Sequence, residues 1–383
     1  MRKYLTGYTW RMKWIPVALV ACICILGVPA YAQELVPDTS VTVRAKVLEI
    51  VSESKREVPG TSVESTYQSI KAEVLDGDEK GKYVTVDNDY LNLDRDQIFY
   101  LTHVTNAASG VDYYEVSEPY RLPQLALLLA LFVGVVILFG GKQGARGLLA
   151  LVGSLLCIVF LLLPGVLKGY SPILISVGVA SFIVILGSYV THGFNRTTTT
   201  AVIGMVITIA VTGLFAYVAI PFTHLSGLGD DAALYLNINL RGTIDLAGLL
   251  IGGIIIGTLG VLYDAAIGQS VSVEELTRAG GHLSRREIFF RALRIGREHI
   301  GALVNTLAIA YVGASLPLLL LFYGFSTDSI LVTINRELFA TEIVRTIIGS
   351  IGIVLTVPIT TAIAVYALVG RTVPEKQSIA HHH

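Results

Sequence analysis

Eight apolar runs, each of about 18 to 24 residues, dominate this chain: Trp14–Ala32, Leu122–Gly140, Leu148–Val166, Ile173–Val190, Ala201–Ile220, Leu246–Tyr263, Ile300–Tyr323 and Ile347–Val369. At 1.5 Å per residue a helix of that length crosses a hydrocarbon core of about 30 Å. Backbone facing lipid must satisfy its own hydrogen bonds, and none of these runs alternates as a membrane-barrel strand would, so they predict helices. Composition agrees: 15% of the residues are charged and 53% hydrophobic, where a soluble domain carries about 25% charged residues. That argues against a soluble enzyme and places the chain among integral membrane proteins. A net charge of −1 argues against a nucleic-acid partner. Cys22, Cys24 and Cys157 lie in apolar runs, so neither a disulfide framework nor a metal site is expected.

The first run has two readings. Arg2, Lys3, Arg11 and Lys13 precede it, and Ala30-Tyr31-Ala32 closes it as an A-x-A site, so residues 1–32 read as a signal peptide or as an uncleaved transmembrane anchor. Both put Gln33 outside. With the N-terminus inside, the inner segments hold fifteen Lys and Arg, and the short outer loops hold Lys168, Arg241 and Arg336, with Arg345 at the outer start of the last span. This bias predicts eight crossings, cytoplasmic termini and an extracytoplasmic segment 33–121, in a bacterial plasma membrane. A seven-helix domain is expected over 122–371, followed by a tail 372–383 ending in a tag remnant, His381–His383.

Segment 33–121 alternates with a period of two. Val41, Val43, Ala45, Val47 and Val51 are expected on one face, with further strands at Ser69–Val74, Tyr83–Val86, Ile98–Val104 and Tyr113–Val116. Turns at Pro59-Gly60, Asp76-Gly77 and Lys80-Gly81 separate them. Five short strands predict a small all-β barrel or sandwich of the OB type. His103 reads as a lone, structural histidine.

The densest chemistry falls in two helices. In the run from Leu246, the small residues Gly248, Gly252, Gly253, Gly257 and Gly260 recur at spacings that let helices approach closely in lipid, as does Gly313 further on. They suit packing within the chain or contact between copies equally well. Asp264 follows 18 nearly uninterrupted apolar residues, so it lies in the inner third of the membrane or at the inner interface. A carboxylate there is a functional hypothesis by default, as a proton carrier or a cation ligand. Asn305 and Thr306 fall at a similar depth, and Tyr311, Thr360 and Thr361 extend the set, which predicts a polar inner-half cavity. Glu342 and Arg345, three apart, can pair at the outer rim, where Asp245 could complete an ion network. Ser284 and Glu287 form a capping box opening a basic segment, Arg285 to Arg297, whose apolar stripe of Ile288, Phe289, Ala292 and Leu293 suggests an interfacial helix on anionic lipid. The turn at His192–Arg196 reads as a helix start capped by a Thr.

Three stretches carry a resemblance. They are GTLGVLYDAAIGQSVSVEEL, NTLAIAYVGASLPLLLL, and TEIVR followed by GSIGIVLTVPITT. Together with the single outer β region, they resemble the YibE/F-like family of bacterial multi-pass membrane proteins. The resemblance implies a membrane transport protein, without naming a substrate, and marks Gly260, Asp264, Glu275, Asn305, Thr306, Tyr311, Gly313, Glu342 and Arg345 as signature positions. Tyr263 stands where the family often has Met. The expected function is a secondary transporter or ion-coupled permease for a small solute or ion. The alternative is a receptor whose β domain binds a protein or envelope ligand. No HExxH, GxSxG or Walker A motif is present, so no catalytic residue, metal or cofactor is expected.

Overall fold

The computed structural model describes residues 39–57, 64–89, 91–106, 111–280, 282–325 and 329–370. The run 14–32, the A-x-A site, the Pro59-Gly60 turn and the C-terminal tail lie outside those residues. The chain divides into two compact units, 1–130 and 131–383.

The first unit is a five-stranded antiparallel sheet. Its strands are β1 (Thr39–Glu57), β2 (Glu64–Val74), β3 (Tyr83–Asn88), β4 (Ile98–Thr105) and β5 (Asp112–Pro119), in the order β3-β2-β1-β4-β5. The sheet curls into a half-barrel, bringing the outer strands near each other: Lys82 beside β3 donates to the Tyr114 hydroxyl of β5 at 2.7 Å. Its core is formed by Ala45, Val47, Ile70, Ala72, Leu93, Phe99 and Leu101, all fully buried. Val41 keeps the expected face but is exposed toward the strand end, and Val51 leaves that face. For Val51 the cause is a pair of register shifts, between Val47 and Glu49 and between Ile50 and Ser52. A shift of one residue turns every later side chain to the other face.

The second unit is helical. Its elements are α1 (Leu122–Cys157), a π turn (Ile158–Leu162), α2 (Leu163–Leu167), α3 (Pro172–His192), α4 (Arg196–Phe222), α5 (Asp231–Asn239), α6 (Leu246–Ala279), α7 (Arg285–Ala314), α8 (Leu316–Phe325), α9 (Ile330–Asn335) and α10 (Glu337–Leu368). Among the described residues, five helical stretches are long and apolar enough to cross a membrane, or six if the bent pair α7–α8 forms one span. The first stretch, Leu122–Leu167, contains a sharp break at Gly141, whose φ of 53° suits a residue without Cβ. The bend of 62° between α7 and α8 precedes Pro317, which cannot donate the hydrogen bond that would continue α7.

Helix starts follow side-chain capping. Asn195, not a Thr, accepts from the Thr198 amide at 2.7 Å to open α4. Asp230 and Asp245 do the same for α5 and α6, and Ser284 with Glu287 completes the capping box of α7. The basic segment is therefore the first part of a continuous 30-residue helix that runs on into the apolar run from Ile300. Ile288 and Ala292 are buried with Val273, Ala364 and Leu368, so their stripe faces protein.

The bundle packs α10 against α4, α6 and α7, with α3 and α4 also on α6. Lipid tails are as apolar as leucine, so association depends on close fit and interhelical polar contacts. Here glycine faces hydroxyl. A Cβ on Gly204 of α4 would collide with Thr360 of α10, and one on Gly352 of α10 with Thr212 of α4. Gly252 meets Ser176 in the same way, and Gly349 stands 2.7 Å from Thr258 measured to an added Cβ. Thr361 donates to the Gln269 side chain at 3.1 Å, and Thr200 to Ser270 at 3.2 Å. These contacts also fix direction: Thr258 opposite Gly349 and Gln269 opposite Thr361 make α6 and α10 parallel, while α4 runs against both. Overpacking a tight site costs about 1–3 kcal/mol. Gly352→Val and Gly204→Val are therefore expected to lower the thermal unfolding midpoint in micelles by several degrees, whereas Gly260→Val, at an open position, leaves it unchanged.

Candidate functional site

Helix α6 has two opposite faces. Ile254, Thr258, Leu262, Ala266, Gln269, Ser270 and Val273 are buried against the bundle. Gly253, Gly257, Gly260, Asp264, Gly268 and Glu275 are exposed. The spacing of these two sets at three and four residues is that of a helix with one face in the core and one outside it. Gly253, Gly260 and Gly268 have open space where a Cβ would stand. Of the glycines expected to pack, Gly252 and Gly257 meet neighbouring helices, and Gly248 meets its own cap Asp245. Gly253, Gly260 and Gly313 meet nothing within 4 Å.

Antiparallel α7 lies alongside α6. A Cβ on Gly257 would approach the Tyr311 hydroxyl at 2.7 Å, and one on Gly296 would strike Gln269. By spacing between those two levels, Asp264 falls opposite about residue 302 of α7. Asn305 and Thr306 are exposed there, Thr306 donating back to the Ala302 carbonyl at 2.9 Å. Asp264, Asn305 and Thr306 are all exposed and lie within about a turn of one another along the two helices.

The six residues expected in one inner-half cavity do not share a chamber. Thr360 and Thr361 are fully buried within the core seam. Tyr311 lies further along, where the Arg345 guanidinium sits 5.8 Å from its ring centre. Depth alone, counted along the sequence, had grouped them; rotation about the helix axes separates them. Glu342 and Arg345 do pair, Nη1 to Oε1 at 2.9 Å. Asp245 does not join them, because its carboxylate accepts the Gly248 amide at 2.9 Å.

A cavity of about 210 Å³ lies where α6 and α10 begin. Thr341, Glu342 and Arg345 of α10, Asp230 and several leucines border it. Glu337 braces its rim, accepting both the Ser226 and the Gly227 amides at 2.8 Å. Gly227 has a φ of 82°, and a Cβ there would strike the Leu246 carbonyl. The sequence reading missed this cavity, as it missed Gln269 and Glu337. A carboxylate holding a loop more than a hundred residues away leaves no local spacing to find.

The β unit carries its own polar cluster. His103 is not alone: Nδ1 lies 3.8 Å from Glu79, Nε2 lies 3.6 Å from Asp112, and its ring stacks on Tyr114 at 4.6 Å. Hydrogen bonds from Lys82 and Tyr114 hold the Glu79 carboxyl below its ordinary range. Arg44 does the same for Asp76, through a side-chain bond of 2.7 Å. Among the described residues, no cluster of His, Cys, Asp or Glu could hold a metal ion.

A polytopic helical bundle knit by glycine–hydroxyl contacts, joined in one chain to a β half-barrel, defines a multi-pass membrane class of protein. Within it the chain belongs to the YibE/F-like family, whose sequence profile matches residues 128–370. No curated protein and no solved structure matches it.

Both Asp76 and Glu79 are depressed when folded, so their contribution to the β unit is present above the ordinary carboxylate range. It is lost as pH falls below about 4 through the depressed values. Far-UV dichroism at the strand band is expected to fall over that interval, and Asp76→Asn is expected to flatten the dependence.

Proposed function

We propose that the chain is an ion-coupled permease of the bacterial plasma membrane, with Asp264 as the proton or cation carrier. The observation that carries the reading is a carboxylate on the open face of a 34-residue apolar helix, flanked by Gly257, Gly260 and Gly268 and within about a turn of Asn305 and Thr306. A charge at that depth is costly in hydrocarbon, whereas the protonated acid is cheap, so gain and loss of a proton changes what this face can lie against. Glycines beside it remove side-chain obstruction to a neighbour that moves. The bias of Lys and Arg supports cytoplasmic termini, which puts β1–β5 and the cavity at the outer side. On that orientation the exposed Arg286, Arg291, Arg294 and Arg297 meet anionic lipid, and the open glycine face is available to lipid or to a second copy.

The alternative reading, a receptor, draws support from the β unit's separate core and from its strand order, with β3 near β5, which suits an OB-type barrel. Cross-linking of the full chain in envelope membranes addresses it. Adducts mapping to the strands would favour this reading, and none there would count against it.

For the permease, acidification of a pH-sensitive dye inside proteoliposomes is the measurement. Wild-type chain is expected to dissipate an imposed pH gradient, and Asp264→Asn to fall to the level of empty liposomes with an unchanged unfolding midpoint. Equal dissipation by the variant removes Asp264 from the mechanism.

A further inference from the structure

One wall of the cavity at the start of α6 and α10 belongs to a weakly held stretch of chain. Gly227, Gly229, Asp230 and Ala233 border the cavity on that side. They lie in residues 226–243, between Leu225, which is buried in the core, and Ile244, which packs against it. Within the stretch, α5 has no buried residue, and its Leu234, Tyr235 and Ile238 are exposed. A segment that buries so little apolar surface opens at lower cost than the helices on either side of it.

Glu337, in the first turn of α10, holds the stretch down. Its carboxylate accepts the Ser226 and Gly227 amides, each at 2.8 Å, and the Ser226 hydroxyl at 2.9 Å. That hydroxyl in turn accepts the Leu228 amide at 3.1 Å. Among the described residues, these bonds to Glu337 are the ones that join 226–243 to another helix. Hydrogen bonds to a carboxylate are stronger than neutral ones, so a single side chain carries most of the attachment. The far end of α5 turns sharply. Arg241 has a φ of 51° and Gly242 one of 71°, a region that L side chains enter rarely. A short turn of this kind, at the end of an element, is where the backbone absorbs a swing.

We propose that residues 226–243 form a lid on the cavity, latched by Glu337 and hinged at Arg241-Gly242. With the latch closed, Gly227 lies against the Leu246 carbonyl and Gly229 beside Thr341. With the latch released, the wall formed by 227–233 swings away and the cavity opens. The wall residues all lie on the latch side of the hinge, so loss of the Glu337 bonds moves them together. The inference rests on the permease reading only for what passes beneath the lid, which then serves as the outer gate.

Hydrogen–deuterium exchange of the full chain in nanodiscs reads the latch. Glu337→Ala is expected to speed exchange across 226–243 at least about tenfold while α4 and α6 keep wild-type rates, which separates a released lid from a misfolded bundle. A Cβ added to Gly229 stands 3.4 Å from the Thr341 hydroxyl, at ordinary contact distance. The pair Gly229→Cys and Thr341→Cys, with Cys22, Cys24 and Cys157 replaced by Ala, is therefore placed to close a disulfide from lid to α10. Oxidising that pair in the Glu337→Ala chain is expected to restore slow exchange. In proteoliposomes the oxidised pair is expected to abolish dissipation of the pH gradient, and reduction to return it. Wild-type exchange rates across 226–243 in Glu337→Ala overturn the latch, and equal dissipation by the oxidised and reduced pair overturns the gate. If the wild-type chain dissipates no gradient while Glu337→Ala still frees the stretch, the permease reading falls and the lid stands.

Discussion

The bundle depends on glycine meeting hydroxyl. Burial of apolar surface gives little drive between helices already surrounded by hydrocarbon, so proximity must supply it. The reciprocal pair Gly204–Thr360 and Gly352–Thr212 brings α4 and α10 together at two levels. Gly252–Ser176 and Gly349–Thr258 add α3 and α6 to the same seam. Of the hydroxyls at these glycines, Thr258 bonds back to its own helix, to the Ile254 carbonyl at 3.1 Å, whereas those of Thr212 and Thr360 are buried without a hydrogen-bond partner. Thr258 turns its methyl to Gly349, while Thr212, Thr360 and Ser176 turn their oxygens to the facing glycine. Gln269 is the long member of the seam, and Gly296 exists opposite it to make room.

This arrangement makes α6 the axis of the second unit. Its buried face is held by α3, α4, α7 and α10, and its other face is open at Gly253, Gly260 and Gly268. Stability and the candidate chemistry therefore occupy different sides of one helix. At its N-terminal end, the same helix borders the cavity between α6, α10 and the turn held by Glu337.

Much of this was legible in the sequence, for identifiable reasons. Hydropathy located the long helices, because span length is set by bilayer thickness. Alternation located all five strands, and the i, i+3 pairing of Glu342 with Arg345 followed from helix geometry. Azimuth was not legible. The faces of α6 both consist of small and aliphatic residues, so nothing in Leu246–Gly268 says whether Asp264 or Thr258 points inward. Packing decided it, through Gly349 and Gln269, residues contributed by distant turns. The stripe at Ile288 and Ala292 failed for a related reason: an apolar face has the same pattern whether lipid or Val273 and Leu368 cover it. In the β unit, two bulges broke the period that Val51 relied on.

The outward placement of Asp264 has a consequence for what counts as the functional unit. The core neither solvates this carboxylate nor excludes it; its surroundings are supplied by whatever lies against the glycine face. Its charge state is then a property shared between this chain and its neighbour, be that acyl chain, water or protein. A change in that neighbour alters the electrostatics of α6 without disturbing a single contact of the seam behind it.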